Sequence, residues 1–197
     1  MIKKVVIASR NPGKLREIAA ILAPLGIAIV SQQELGIPDA DEPHFTFLEN
    51  ALAKARHASA LSGLPALADD SGICVDALLG APGVHSARYA GEPKSDARNN
   101  EKLVRELTNQ ANRRAHYYCI MALTRHANDP EPIIAEGAWD GEIILAPRGT
   151  NGFGYDPYFF LPALGITSAE LDPAHKNRIS HRAHALGQMI QKLTSQS

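Results

Sequence analysis

The spacing of apolar residues changes from strand-like to helical within the first thirty positions. Residues 5–8 form a short β-branched apolar run, which predicts a buried strand. Leu15, Ile18 and Leu22 then recur at the spacing of an amphipathic helix, and residues 27–30 form a second apolar run. The chain is therefore predicted to begin with a strand, a tight loop, a helix and a second strand.

Capping residues mark the other helices. Thr46 and Glu49 form a capping box before an alanine-rich run that ends ahead of Gly63, which predicts a long helix. Ser95 is placed to cap a helix that continues to about residue 107, and Ser180 precedes a final amphipathic helix. Pro24 is expected to stop the first helix, and Asp172 with Pro173 is predicted to open a short turn.

The remaining apolar runs are predicted strands. Residues 66–68 end one run that resumes at residues 73–75, and residues 116–124 and 132–144 flank a turn signal that predicts an antiparallel hairpin. Because strands occur both with and without intervening helices, we expect an α/β fold with a mixed sheet flanked by helices. A length of 197 residues indicates one domain, residues 1–197, with room for two lobes around a substrate cleft.

Composition excludes several classes of protein. A hydrophobic fraction of 45% and a charged fraction of 21% are those of an ordinary globular protein. A net charge of −1 argues against a globally basic protein that binds nucleic acid. The apolar runs are too short for a transmembrane helix, and the N-terminus begins a strand rather than a signal peptide. We therefore expect a cytoplasmic protein with neither a membrane nor a nucleic-acid partner.

Residues 67–72 are the most informative stretch, because an apolar run stops there at Asp69, Asp70, Ser71 and a glycine. We predict a short connection after a strand, from which only one of the two carboxylates faces a given cleft. Such a carboxylate can bind Mg²⁺ or act as a general base on water. The alternative is an ordinary turn, since Asp, Ser and Gly are common turn residues.

Residues 9–14 connect the first strand to the first helix. Asn11 is a suitable N-cap, Pro12 a suitable first helical residue, and Lys14 lies in the first turn, so the helix N-terminus is a predicted phosphate site. It is not a P-loop, because Ala8 and Leu15 stand where that motif requires Gly and Ser or Thr. The alternative for Lys14 is a solvated helical lysine.

Three further segments carry candidate chemistry. The acidic loop of residues 32–45 either supplies a second metal ligand or is simply solvated. Residues 149–157 combine three glycines with two aromatic rings and a carboxylate, which favours a ligand loop over a plain surface loop. His181 and Arg182 place positive charge at a helix N-terminus, which favours an anionic or carbonyl ligand.

These segments together resemble the inosine triphosphate pyrophosphatase family, and the resemblance covers essentially the whole chain. Residues 9–14 resemble the family's phosphate loop, residues 45–51 its acidic-helix signature and residues 68–72 its catalytic turn. Residues 152–157 and 179–182 resemble its base-binding elements. Any one of these motifs is weak, but all of them in this order are highly specific.

The resemblance implies a mixed-sheet α/β protein with two lobes around a central cleft, working as a homodimer. It implies Mg²⁺-dependent hydrolysis of ITP, dITP or XTP to the monophosphate and pyrophosphate. Asp70 would be the catalytic base and a metal ligand, with Asp41 or Glu42 completing the metal site. The substrate-binding residues that it implies are Ser9, Arg10, Asn11, Pro12, Gly13, Lys14, Ser71, Phe153, Gly154, Tyr155, Asp156, Lys176, His181 and Arg182.

Within this set, Lys14 and Lys176 would hold phosphates. Phe153 would stack on the base, and Arg182 or His181 would donate to its 6-oxo group. Two alternatives stay open: a related pyrophosphatase acting on dTTP, UTP or modified pyrimidines, and a nucleotide sensor that binds the triphosphate without hydrolysing it.

Overall fold

The computed structural model describes residues 2–22 and 26–195. The strands of this part of the chain are β1 (Lys4–Ile7), β2 (Ala28–Ser31), β3 (Ala66–Val75), β4 (Arg114–Thr124), β5 (Ile133–Ile143), β6 (Phe159–Leu161) and β7 (Ile166–Thr167). They form one seven-stranded sheet in the order β2-β1-β3-β4-β5-β6-β7.

The sheet is mixed, as predicted. Strand β1 pairs in parallel with both β2 and β3, whereas β6 pairs antiparallel with both β5 and β7. Strands β4 and β5, the two runs of the predicted hairpin, are neighbours in the sheet. The α/β class with a mixed sheet is therefore confirmed.

Four of the described helices begin where the capping residues predict, and a fifth, short helix begins after Asp172. They are α1 (Pro12–Leu22), α2 (Phe47–Ser62), α3 (Asp96–Leu107), α4 (Pro173–Ile179) and α5 (His181–Ser195), with short 3₁₀ turns at Asp76–Leu78, Gly83–Arg88 and Ser168–Glu170. Thr46 accepts a hydrogen bond from the Glu49 N–H, and Gly63 ends α2 in the left-handed conformation with φ 68°. Pro24, which is expected to stop α1, lies outside the described residues.

Two local predictions are wrong. The predicted connection at Asp69 and Asp70 is the middle of strand β3, which continues through Gly72 without a turn. A side chain at Gly72 would overlap the Gly83 carbonyl and the Ser86 hydroxyl, so glycine is needed here for close packing and not for a turn. The predicted turn after Asp172 is the short helix α4, because Asp172 accepts the His175 N–H as an N-cap.

The chain divides into two compact units. The first unit contains Met1–Asp70, Cys119–Gly137 and Arg182–Ser197, and the second contains Ser71–Tyr118 and Ala138–His181.

Each unit has its own apolar core. In the first unit, Ile7 and Leu67 of the sheet pack with Ile18 of α1 and Leu186 of α5, all at most 1% exposed. In the second unit the core includes Leu103 of α3 and the rings of Tyr117, Trp139 and Phe159, where Tyr117 and Phe159 meet edge to face at 4.7 Å. No helix of the described residues is long and apolar enough to cross a membrane.

Candidate active site

The predicted phosphate loop is a well-formed helix start in the first unit. The Asn11 side-chain carbonyl accepts the N–H groups of Gly13 at 2.8 Å and Lys14 at 3.2 Å, and Pro12 is the first residue of α1. The Ser9 hydroxyl accepts the Asn11 N–H at 3.2 Å. The loop is therefore fixed by its own side chains, with the positive end of the helix dipole and Lys14 at the same place.

Arg10 of this loop points toward the acidic loop. Its guanidinium lies 3.2 Å from Asp39 and donates to the Ile37 carbonyl at 3.1 Å. The buried Gln32 donates to the same Asp39 carboxylate at 2.6 Å. Arg10 thus anchors the start of the acidic loop beside the phosphate loop.

The two adjacent aspartates of β3 have different principal partners, as expected for neighbours in a strand. Asp69 lies 3.0 Å from the Lys14 ammonium and 3.1 Å from the Arg182 guanidinium. Asp70 lies 2.8 Å from the Lys54 ammonium and accepts the Asn50 amide at 3.3 Å. Asp69 therefore belongs to a set of buried ion pairs, whereas Asp70 faces α2.

Lys54 joins Asp70 to the acidic loop. Its ammonium lies 2.9 Å from the Glu42 carboxylate and 2.8 Å from Asp70. Asn50 fastens the same loop, because its side chain accepts the His44 N–H at 3.2 Å and donates to the His44 carbonyl at 3.3 Å. The structure thus brings Glu42 to Asp70, while Asp41 is exposed to solvent.

The pKa values of the two aspartates are shifted in opposite directions. Burial raises the pKa of Asp70 above its usual range, and the nearby charges of Lys54 and Lys14 offset this only in part. Burial would also raise the pKa of Asp69, but Lys14 and Arg182 hold it well below its usual range. Asp70 is therefore the more basic carboxylate of the pair, which suits a general base.

Two carboxylates near Lys54 are suitable ligands for Mg²⁺. Within residues 2–22 and 26–195, no three His, Cys, Asp or Glu side chains gather into a metal cage. Glu42 and Asp70 nevertheless supply two hard carboxylate oxygens that converge on one cation, the Lys54 ammonium. Mg²⁺ commonly binds through one or two carboxylates, with waters and substrate phosphates filling its other positions. Two converging carboxylates therefore suit a magnesium ion that arrives with a triphosphate.

The second unit holds the other predicted site residues around Asp156, which is 2% exposed. Its carboxylate accepts the Lys176 ammonium at 2.6 Å, the Phe153 N–H at 2.9 Å, the Ser168 hydroxyl at 2.9 Å and the Tyr117 hydroxyl at 3.4 Å. Asp156 is therefore saturated with internal donors, and its role is to hold Lys176 and the Phe153 loop in place.

The aromatic rings of Phe153 and Tyr155 in this unit differ in how accessible they are to a ligand. Phe153 is half-buried, with the Lys176 ammonium 4.9 Å from its ring centroid, so a planar base can stack only on the opposite face. Tyr155 is 4% exposed and donates to the Ser86 carbonyl at 2.8 Å, which makes it a core residue. The Gly154 carbonyl accepts the Asn100 amide at 2.9 Å, which fixes the loop.

His181 and Arg182 fall in different units despite being adjacent. His181 stacks on Tyr117 at 4.7 Å between ring centroids, with the rings 10° from parallel. Arg182 is 1% exposed and joins Asp69 and Glu17. Ser71 follows Asp70 in β3 and is half-buried.

Sequence reasoning did not identify Asn50, Lys54 and Glu17 as site residues. A signal existed for the first two, because Asn50 and Lys54 are four residues apart and so share one face of α2. Glu17 lies three residues after Lys14 on α1, but its partner Arg182 is 165 positions away, a contact that no local pattern predicts.

Comparison with known proteins assigns this chain to a family. The Ham1 family model matches residues 5–192, and the chain belongs to that family. The family prediction from the motifs is therefore confirmed.

Individual relatives are similar to this chain over nearly the whole length of both proteins. The dITP/XTP pyrophosphatase of Ralstonia nicotianae is 66% identical over 194 residues, covering 97% of this chain and 96% of that protein. The dITP/XTP pyrophosphatase of Nitrosomonas europaea is 65% identical, covering 97% and 94%. A HAM1 protein from Coxiella burnetii, 48% identical, has a fold that superimposes with a TM-score of 0.92 over 99% of this chain and 100% of its own.

Proposed function

We propose that this protein hydrolyses deaminated purine nucleoside triphosphates (ITP, dITP, XTP and dXTP) to the monophosphate and pyrophosphate with Mg²⁺. The observation that carries the proposal is the buried, basic Asp70 carboxylate, held with Glu42 at one ammonium next to the Lys14 phosphate loop. Relatives at 65–66% identity that are named dITP/XTP pyrophosphatase support the substrate class.

The phosphate loop would bind the triphosphate. The capped N-terminus of α1 presents N–H groups and the Lys14 ammonium to phosphate oxygens. Glu42 and Asp70 would hold the magnesium ion, which would neutralise phosphate charge and stabilise the leaving pyrophosphate. Lys54 adds a further cation close to both carboxylates, and its pKa is raised by Asp70 and Glu42 in spite of its burial, so it stays charged.

Asp70 would then act on a water molecule beside the α-phosphorus. The carboxylate accepts a proton as the water oxygen forms a bond to phosphorus, and the bond from phosphorus to the bridging oxygen breaks. Pyrophosphate leaves with that electron pair, and the nucleoside monophosphate keeps the new oxygen. General base catalysis of this kind contributes roughly 10²–10⁴-fold to a rate.

Recognition of the base would fall to Phe153 and His181. Hypoxanthine and xanthine present a 6-oxo acceptor next to an N1–H donor, whereas adenine presents a 6-amino donor next to an N1 acceptor. Stacking on Phe153 together with a donor such as His181 would therefore favour the first pair, because adenine would leave a donor facing a donor. An unmatched buried polar group costs about 1–3 kcal/mol, which corresponds to a large but finite preference.

A substrate panel tests the proposal. Each common and each deaminated triphosphate is incubated with the protein and Mg²⁺, and pyrophosphate and orthophosphate are assayed separately. We expect pyrophosphate from ITP, dITP and XTP at rates far above those for ATP and dTTP. Preference for dTTP or UTP would favour a pyrimidine enzyme, and triphosphate binding without product would favour a nucleotide sensor. Homodimer formation stays a prediction based on the resemblance, and a cytoplasmic location stays a prediction based on the apolar pattern of the sequence.

A further inference from the structure

The backbone on both sides of Phe153 is held by aspartate side chains. The Phe153 N–H donates to the Asp156 carboxylate at 2.9 Å. The next N–H along the chain, that of Gly154, donates to the Asp96 carboxylate at 2.8 Å. Asp156 belongs to the same loop as Phe153, whereas Asp96 is the first residue of α3. Helix α3 therefore helps to fix the direction in which the Phe153 ring leaves the backbone.

A second contact from α3 reaches the same glycine. Asn100 lies four residues after Asp96, so the two side chains share one face of the helix. The Asn100 side chain is buried, and its amide donates to the Gly154 carbonyl at 2.9 Å. Helix α3 thus holds both the N–H and the carbonyl of Gly154. All of these residues lie in the second unit.

Gly154 depends on such contacts because glycine has more conformational freedom than any other residue. Its φ of 63° lies in the left-handed region, which is one of several conformations that a free glycine adopts. A different backbone conformation there would turn the preceding peptide group and the Phe153 ring with it. Because the Lys176 ammonium lies 4.9 Å from the centroid of that ring, the ring direction decides whether the opposite face is open to a base.

We propose that Asp96 is a positioning residue for base recognition, acting through the peptide group between Phe153 and Gly154 on the Phe153 ring, with Asn100 as the second contact. A carboxylate suits this place, because the N-terminus of a helix stabilises negative charge and a charged acceptor forms a stronger hydrogen bond. The inference rests on the proposed function, because it assumes that the base of the substrate stacks on Phe153.

Two substitutions of Asp96 separate its hydrogen bond from its charge. Asp96→Ala removes the acceptor of the Gly154 N–H, whereas Asp96→Asn loses the charge and keeps an acceptor oxygen. Both variants lose the favourable interaction with the helix dipole, so a role limited to the stability of α3 predicts the same result for both. A positioning role predicts that only Asp96→Ala is impaired.

Steady-state kinetics with ITP and Mg²⁺ is the first measurement. For Asp96→Ala we expect KM to rise about three- to tenfold and kcat to change less than about twofold, because the lost interaction serves binding and not the chemical step. Asp96→Asn should stay within about twofold of the unaltered protein in both constants, because its amide oxygen still accepts the N–H. Glu101→Ala, at an exposed position of α3, is the matched control and should leave KM unchanged.

Three further measurements locate the effect. Affinity for inorganic triphosphate, which has no base, should be the same in both Asp96 variants and the unaltered protein. Amide hydrogen exchange of residues 151–156 should be faster in Asp96→Ala and nearly normal in Asp96→Asn, because exchange follows local opening. In a Phe153→Ala background, Asp96→Ala should raise KM less than about twofold further, because changes that act through one ring are not additive.

The outcomes distinguish the inference from the proposed function. If the unaltered protein does not convert ITP, the proposed function fails and the inference fails with it. If it converts ITP and Phe153→Ala raises KM but Asp96→Ala does not, only the positioning role is wrong. An unchanged KM in Phe153→Ala would also overturn the inference, because the base would then not stack on that ring.

Two other results would contradict a positioning role. One is an equal rise in KM for Asp96→Ala and Asp96→Asn, which would assign the effect to charge or helix stability. The other is an undiminished effect of Asp96→Ala in the Phe153→Ala background. Circular dichroism confirms that each variant is folded before it is compared.

Discussion

Replacing Lys54 with methionine isolates the electrostatic role of the ammonium that joins Asp70 to Glu42. Methionine keeps a long apolar side chain of similar reach, so packing on α2 is largely preserved. The ammonium lies 2.8 Å from Asp70 and 2.9 Å from Glu42, so the two carboxylate oxygens are at most about 5.7 Å apart. In the variant these two carboxylates would face each other without a cation.

The magnitude follows from that distance. Two unit charges about 5.7 Å apart repel by about 3 kcal/mol at an effective dielectric constant of about 20. Because the Glu42 side chain is 29% exposed, solvent screening reduces this cost to on the order of 1–3 kcal/mol. Mg²⁺ would restore a cation at the same carboxylates, so it should stabilise the variant more than the unaltered protein. For a chain of this length the extra gain corresponds to about 2–12 °C in Tm.

The assay is scanning calorimetry of both proteins with and without Mg²⁺, in the absence of nucleotide. Arg56→Met, an exposed position on the same helix, is the matched control and should respond to Mg²⁺ like the unaltered protein. An equal Mg²⁺-induced rise in Tm for Lys54→Met and the unaltered protein would refute the idea that Asp70 and Glu42 form the metal site.

Three further predictions concern the catalytic base Asp70, the stacking of the nucleobase on Phe153 and the stability of the folded protein in acid. Asp70→Asn should lower kcat by roughly 10²–10⁴-fold with an unchanged circular dichroism spectrum, and near-normal turnover would move the base elsewhere. Phe153→Ala should raise KM for ITP by the loss of about 1–3 kcal/mol of stacking, with inorganic triphosphate affinity unchanged; a fall in that affinity would contradict a base-stacking role. Hydrogen bonds from Arg125 hold the pKa of Asp129 well below its usual range. The ionised carboxylate therefore stabilises the folded protein fully above the unfolded pKa of about 3.9. This stabilisation is lost as the pH falls through the folded pKa. Urea unfolding should therefore show that Asp129→Asn costs more stability at pH 7 than at pH 3, and an equal cost at both would be inconsistent with the ion pair.

Local signals in the sequence were enough to predict most of the fold. Asn11 and Pro12 define the start of α1, and Thr46 and Gly63 define both ends of α2, because capping depends on neighbours in the chain. The prediction failed at Asp69 and Asp70, where β3 continues because Gly72 lets the backbone around Gly83 approach. Turn propensity describes residue types, whereas this strand depends on a tertiary contact.

The residue types of the candidate site were easier to predict from the sequence than the partner that each residue contacts. Order and spacing indicate the phosphate loop and the aspartate pair as candidate site residues, but the pairing of Arg182 with Asp69 spans 113 positions. Nothing in the local sequence distinguishes Lys54 from a solvated helical lysine, because its partners Glu42 and Asp70 come from other segments of the chain. Ion-pair partners depend on which elements meet in the fold, and a single sequence does not record this.

Hydrolysis of ITP in ¹⁸O-labelled water tests the central claim most directly, because it shows which phosphorus the water attacks. With Asp70 activating water beside the α-phosphorus, the label is expected in inosine monophosphate, with unlabelled pyrophosphate as the other product. The reaction is run for less than one turnover in labelled and in unlabelled water. Mass spectrometry of both products then shows which one carries the label. Label in orthophosphate or in pyrophosphate would mean attack at the γ- or β-phosphorus and would contradict the proposed reaction.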